Sequence, residues 1–339
     1  MHPFVVALYP RVSACEYYRA VMPLHYLQQG PWQTLSCTLQ EWMRRSASSA
    51  PLRKPTILIA PRIETDKIEA LEKLRASTPY IVYETDDDLT NKYRIVSALP
   101  IEHFARAADL ITVTTPHLAK VMSVYGPTKV LPNFIDPKVT GIHYKNDDPR
   151  YSNEVRILLS GTASHYGDWK QVLPALEYIL KKFTNAHVTI AGFHPDYLSG
   201  IDPLRVSYEP FHSYPGYMKL IYEHDIVLCP IDTEDKFNLS KSAIKAIEGM
   251  AVARNVNGHV GGAVPIASNS PVYRRAVTKA TGRLVEPDGW TEALVELIEN
   301  KRERERLSVA GHAWVMKNRN INTGWKLWHK AYTALLRGL

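Results

Sequence analysis

Ten short runs, apolar on both faces, punctuate the 339-residue chain, with helix-length amphipathic segments between them. In the first part they are FVVALY (4–9), TILIAP (56–61), YIVYET (80–85), LITVTT (110–115) and KVLPN (129–133). In the second they are VRILLSG (155–161), HVTIAG (187–192), RVSYEP (205–210), IVLCPI (226–231) and VPIAS (264–268). A strand buried on both faces belongs to a parallel sheet covered by helices, so each set predicts a doubly wound α/β layer. Between the sets lies DPKVTGIHYKNDDPRYSN (136–153), polar and without a period, which has linker composition. One core rarely serves a chain this long. The expectation is a Rossmann-like domain over 1–137, a linker over 138–153 and a second Rossmann-like domain over 154–319. Trp325, Trp328 and Tyr332, with Leu335 and Leu336, recur at helical spacing and predict a C-terminal helix within 320–339 that packs back on the first domain.

Composition narrows the classes. Hydrophobic residues make up 45% and charged residues 22%, which suits a folded globular protein rather than a disordered chain. No apolar run approaches the roughly 20 residues of a membrane helix. The start, MHPFVVALYP, reads as a first strand and not as a secretory leader. Cys15, Cys37 and Cys229 are odd in number and far apart, which suggests neither a disulfide framework nor a zinc site. Cytoplasmic location is expected, peripheral to a membrane or to DNA if the net charge of +7 serves an anionic partner. A soluble enzyme that is merely basic is the other reading of that charge.

Ligands of doubly wound sheets bind outside the carboxyl ends of the strands, and a cleft between two such domains is the expected site. After the strand at 226–231 comes NLSKSAIKAIEGMA (238–251). A helix starting there offers free N–H groups and a positive dipole end to an anion. Lys241, Ser242 and Lys245 add charge and donors for a diphosphate, and Glu248 accepts from a ribose diol. The plainer reading is an i,i+3 surface pair of Lys245 and Glu248.

KSAIKAIEGMA, with VPIASN after it, resembles the donor-site signature of GT-B glycosyltransferases, in particular the retaining GT4-type group. The resemblance implies that Glu248 holds the ribose and that Lys241 or Lys245 neutralises the diphosphate. The Glu found eight positions earlier in that family is Ser240 here, and about ten extra residues around RNVNGHVGG precede VPIAS. LLSGTASHYGDWKQVLPALEYIL (158–180) resembles the family's GSxTHxxD…PAL turn, in which Gly161, Ser164, His165 and Asp168 face the donor. Capping of a helix is the alternative for Asp168. YEPFHSYPGYMKLIYEHDIVLCP matches the base-binding region and nominates Phe211 and His212, with core packing the alternative for Phe211. VLPNFID resembles the crossing into the second domain, with Asn133 near the hinge. SACEYYRAVMPLHYL resembles an entry turn that assigns Arg19 to the acceptor side, a surface salt bridge being the alternative.

YETDDDL (83–89) places three carboxylates after a strand. In the GT-B resemblance Asp86, and with it Asp88, faces the transferred sugar as a catalytic group, together with His165. A solvated turn with a helix cap is the plain alternative. A GT-A transferase would use Asp86 and Asp88 on a divalent metal. The implied activity is transfer of a sugar from a nucleotide-diphosphate sugar to an acceptor hydroxyl, with retention and without a metal. The acceptor is a glycan, a lipid-linked sugar or a hydroxymethylated DNA base, the last reached by flipping. A catalytically silent nucleotide-sugar binder is the alternative from another class.

Overall fold

The computed structural model describes residues 2–9, 14–46, 53–61, 75, 78–92, 99–141, 153–193 and 205–338. Most of the expected linker, 142–152, lies outside the described residues. The chain forms two compact units. The first comprises Met1–Phe134, Ser240–Ser242 and Ile321–Leu339; the second comprises Ile135–Leu239 and Ala243–Asn320.

The first unit holds β1 (Phe4–Tyr9), β2 (Gln33–Thr38), β3 (Ile57–Pro61), β4 (Tyr80–Thr85), β5 (Leu110–Val113) and β6 (Thr128–Val130). They form one parallel sheet in the order β2-β1-β3-β4-β5-β6. The second unit holds β7 (Val155–Gly161), β8 (Ala186–Gly192), β9 (Val206–Glu209), β10 (Ile226–Cys229), β13 (Val264–Ser268) and β14 (Arg283–Val285) in the order β14-β13-β10-β7-β8-β9, again all parallel. The chain winds outward from β7 through β8 to β9, then returns to start again at β10. Its topological switch point therefore lies between β7 and β10.

β2 and β14 were not expected. β2 is an edge strand whose residues are mostly half exposed, and β14 has three residues, so neither carries the continuous apolar signal. The extra residues before VPIAS form a separate antiparallel hairpin, β11 (Arg254–Val256) with β12 (His259–Gly261). Asn257 and Gly258 turn it at φ 51° and 82°, as a two-residue loop with a right-handed ladder requires.

Helices cover both faces of each sheet. In the first unit Ile81, Tyr83, Ile111 and Val113 pack with Phe104 and Leu118 from Leu99–Ala107 and Pro116–Met122. The C-terminal helix Lys326–Leu336 belongs to this unit. It buries Trp328 and Tyr332 completely, and Trp32 Nε1 donates to His329 Nδ1 at 2.8 Å. In the second unit, Leu173–Lys182 and Trp290–Glu299 bury Leu176, Ile179, Trp290 and Leu294 against one face. On the other face Ile244–Ala251 lies so close to β10 that a Cβ on Gly249 would meet Val227 Cγ2 at 2.4 Å. The small residues of EGMA thus serve helix–sheet contact.

Candidate functional site

The helix expected to begin among the lysines begins later, at Ile244, behind a short helix Lys236–Leu239. Lys241 and Ser242 precede it, in the segment grouped with the first unit, while Lys245 and Glu248 stand on the helix in the second. No side chain caps its N-terminus. Ser242 Oγ accepts from Asn133 Nδ2 at 3.0 Å, and Ser240 O accepts from Thr115 Oγ1 at 3.2 Å, so the first unit holds this segment by two hydrogen bonds. Ser240, where the resembled family has Glu, is fully buried.

At the carboxyl end of β7, Lys245 Nζ donates to Ser160 O at 2.8 Å. A Cβ on Gly161 would stand 3.1 Å from that nitrogen and 2.8 Å from His165 Cδ2. Two side chains able to carry positive charge therefore converge on the bare face of one glycine, beside the β7–β10 switch point. Glu248 is 4% exposed, and Ser160 Oγ and Tyr217 OH form a 2.7 Å hydrogen bond nearby. Burial raises the Tyr217 phenol, and the charge of Glu248 raises it further. Burial pushes the Cys229 thiol up to about 12, with Lys245 pulling down and Glu248 pushing up. Ser160, Tyr217 and Cys229 were not singled out from sequence. They come from two strands and one helix and share no local motif.

His165 and Asp168, expected to face a ligand together, are joined to each other. His165 Nδ1 lies 2.6 Å from Asp168 Oδ2. Asp168 is 3% exposed, and its Oδ1 accepts from Asp232 N and Asn238 Nδ2, both at 2.7 Å. Capping of its own helix does not describe Asp168, because Oδ1 is taken by groups 64 and 70 positions away and Oδ2 faces the His165 ring. Ser164 sits in the turn Ala163–His165, its side chain outside the described residues.

Phe211 follows β9 and is 66% exposed, so the core alternative is corrected. Its ring edge covers Gly192 at the end of β8, where a Cβ would meet Cε1 at 3.0 Å. His212 Nε2 pairs with Glu209 Oε2 at 3.1 Å.

In the first unit Asp86 is half buried after β4, and Thr114 Oγ1 donates to its carbonyl at 3.3 Å. Asp88 Oδ1 accepts from Asn91 N at 3.1 Å and Thr90 Oγ1 at 2.5 Å, the arrangement of a cap on Leu89–Lys92. Among the described residues no three His, Cys, Asp or Glu side chains gather as metal ligands. Arg19 is not a surface group. It is 2% exposed, with Nε on Glu84 Oε1 at 2.7 Å and Nη1 on Leu131 O and Asn133 Oδ1 at 2.6 and 2.9 Å. Burial pushes Glu84 up to about 7 against the downward pull of Arg19. No described helix is long and apolar enough to cross a membrane.

No protein-family model and no curated protein matches this sequence. Solved structures do match. The sucrose-phosphate synthase of Thermosynechococcus elongatus superposes with a TM-score of 0.71 at 11% identity, over 99% of this chain and all of that one. HepE of Anabaena, solved with UDP and glucose, gives 0.68 at 13% identity over 98% of this chain and all of its own. A Listeria monocytogenes protein provisionally assigned as a UDP-N-acetylglucosamine 2-epimerase gives 0.63 at 10% over 100% and 98%. Two six-stranded parallel sheets also exclude the single-sheet GT-A alternative. The chain has the two-domain α/β fold of the GT-B glycosyltransferases.

Proposed function

We propose that the protein transfers a sugar from a nucleotide-diphosphate sugar to an acceptor hydroxyl, with retention of configuration. The observation that carries this is the convergence of Lys245 and His165 on Gly161 at the end of β7, beside the buried carboxylate of Glu248. A diphosphate needs donors and positive charge, and a ribose diol needs an acceptor one helical turn away. In this reading Lys245, with Lys241 and Ser242, stabilises the departing diphosphate, which is electrostatic rather than covalent catalysis. Glu248 holds the ribose, and exposed Phe211 with His212 meets the base. Asp86 acts on the acceptor side. No metal is required by this arrangement of cations.

Charge supports an anionic acceptor. The first unit carries 19 Lys and Arg against 12 Asp and Glu, and the second carries 22 against 22, so the whole excess of +7 falls on the first. A lipid-linked sugar at an anionic surface and a hydroxymethylated base in DNA both suit that charge.

The fold alone does not imply transfer, since epimerisation and silent binding use the same scaffold. The test incubates the protein with UDP-glucose, GDP-mannose and ADP-glucose, with and without magnesium, and analyses free nucleotide, free sugar and epimers. Release of nucleoside diphosphate, lost in Glu248→Ala, supports the transferase. An epimer, or binding without any turnover, replaces it with the alternative named.

A further inference from the structure

The pairing of Asp168 with His165 carries an inference that rests on the donor-site reading and goes beyond it. Asp168 follows β7, whereas Asp232 and Asn238 follow β10, so its carboxylate ties together the two loops that part at the switch point of the second sheet. Both oxygens are engaged: Asp232 N and Asn238 Nδ2 donate to Oδ1, and His165 Nδ1 donates to Oδ2. Asn238 Nδ2 also reaches Asp232 O at 3.0 Å, and Gln171 Nε2 donates to Asp168 O at 3.0 Å. A carboxylate so engaged and 3% exposed orients its neighbours.

The carboxylate accepts, so Nδ1 of His165 carries hydrogen. That bond sets the ring with its Cγ–Cδ2 edge on Gly161, at 3.2 and 2.8 Å from a Cβ built there, and Nε2 adjoins that edge. Lys245 Nζ stands on the same glycine. We propose that Asp168 is a positioning residue that holds His165 for donation from Nε2 to the donor diphosphate, beside the ammonium group of Lys245 on the same glycine. Proton uptake by His165 at Nε2 creates the donor, and the Asp168 carboxylate balances the ring's charge from the opposite side. No bond to carbon or phosphorus forms or breaks through either residue.

The test uses sugar nucleotides, whose diphosphate has no ionisation between pH 5.5 and 8.5 to confuse the readout. Dissociation constants for UDP-glucose and GDP-mannose are measured calorimetrically across that range for the whole chain, Asp168→Asn and His165→Gln. The wild type binds more tightly as pH falls, with uptake of one proton. His165→Gln loses that dependence. Asp168→Asn presents an amide donor to Nδ1 and moves the ring hydrogen to Nε2, so the variant donates as a neutral ring at every pH. It is expected to lose the pH dependence, binding about tenfold more weakly than the wild type at pH 6 for want of the imidazolium charge and no more weakly than the wild type at pH 8.5.

Asp168→Asn that binds with the wild-type pH dependence overturns the proposal while the donor site stands. A wild type that binds neither sugar nucleotide overturns the donor reading and this proposal together. If thermal melting shows Asp168→Asn unfolded, Asn238→Ala removes one of the bonds that hold the carboxylate. It is expected to weaken binding at pH 6 more than at pH 8.5, and an equal loss at both overturns the proposal.

Discussion

Arg19 donates through Nε to Glu84 Oε1 at 2.7 Å, and the two side chains are 2% and 1% exposed. They join the helical stretch at 14–27 to β4, and the guanidinium continues to Leu131 O and Asn133 Oδ1 in the segment that follows β6. Thr112 donates its hydroxyl to the other oxygen of Glu84, and the face of Trp328 covers the guanidinium at 5.6 Å. Breaking one partner of a buried pair strands a charge, whereas replacing both by apolar groups removes the desolvation cost as well. Arg19→Met is expected to destabilise the protein by about 3–5 kcal/mol, and the double change Arg19→Met/Glu84→Met by much less. Urea unfolding of the single and double variants checks this. Equal losses in both would mean that packing, not charge, governs the site.

His224 makes a pH prediction of definite sign. It is 1% exposed, with Nδ1 at 2.6 Å from Leu220 O and Nε2 at 2.7 Å from Thr189 Oγ1. Burial lowers its pKa from 6.5 to about 4. The unfolded chain therefore binds the proton first, and stability present above pH 6.5 is lost as pH falls toward 4. The full loss is about 3 kcal/mol. His224→Gln, which keeps an amide donor and acceptor, is expected to lower the melting temperature at pH 7.5 and to flatten its fall between pH 6.5 and 4.5. A parallel fall in wild type and variant would assign acid sensitivity elsewhere.

Periodicity explains how much of this was legible. Strands sealed on both faces leave a continuous apolar run, so β1, β3, β4, β7, β8 and β10 stand out in the sequence. β2 does not, because an edge strand half open to water alternates weakly. The hairpin at 254–261 had a legible turn, Asn257-Gly258, but its strands are three residues each. At the site, Gly161, Lys245 and Glu248 are nominated by the resemblance of their motifs to the GT-B donor signature, since spacing alone leaves Lys245 and Glu248 a surface pair. Long-range partners are not: Asp168 meets Asn238 across 70 positions and Arg19 meets Glu84 across 65. Only the fold decides that Arg19 is sealed and Phe211 exposed.

Gly161→Ala tests the bare face itself. The added methyl would stand 2.8 Å from His165 Cδ2 and 3.1 Å from Lys245 Nζ, too near for both side chains to stay. The lysine end yields cheaply, but the His165 ring is held by Asp168 and must shift as well, so the expected loss of stability is about 1–3 kcal/mol. The donor site suffers too, because the methyl occupies the face on which both side chains converge. Binding of UDP-glucose is expected to weaken by at least about tenfold, the equivalent of one charge-assisted hydrogen bond. Calorimetry and a melting curve on the same sample separate the two effects. Unchanged binding would remove Gly161 from the site.

Salt separates the two units. The first carries the entire net charge of +7 and the second is neutral, so an acceptor held by the first should respond to ionic strength and a donor held by the second should not. Each phosphate neutralised on a polyanion releases counterions, and affinity falls steeply with salt. Between 50 and 200 mM salt, affinity for either a hydroxymethylated DNA duplex or vesicles rich in phosphatidylglycerol is expected to drop by at least about tenfold. The dissociation constant for UDP-glucose is expected to change less than about threefold, because one diphosphate held at close range by a lysine and a histidine is only weakly screened. Anisotropy with labelled duplex and cosedimentation with vesicles read the first quantity, and calorimetry reads the second. A salt-sensitive duplex beside inert vesicles selects DNA, and the reverse selects a membrane surface. Indifference of both would leave the basic charge of the first unit without a polyanionic acceptor to explain it.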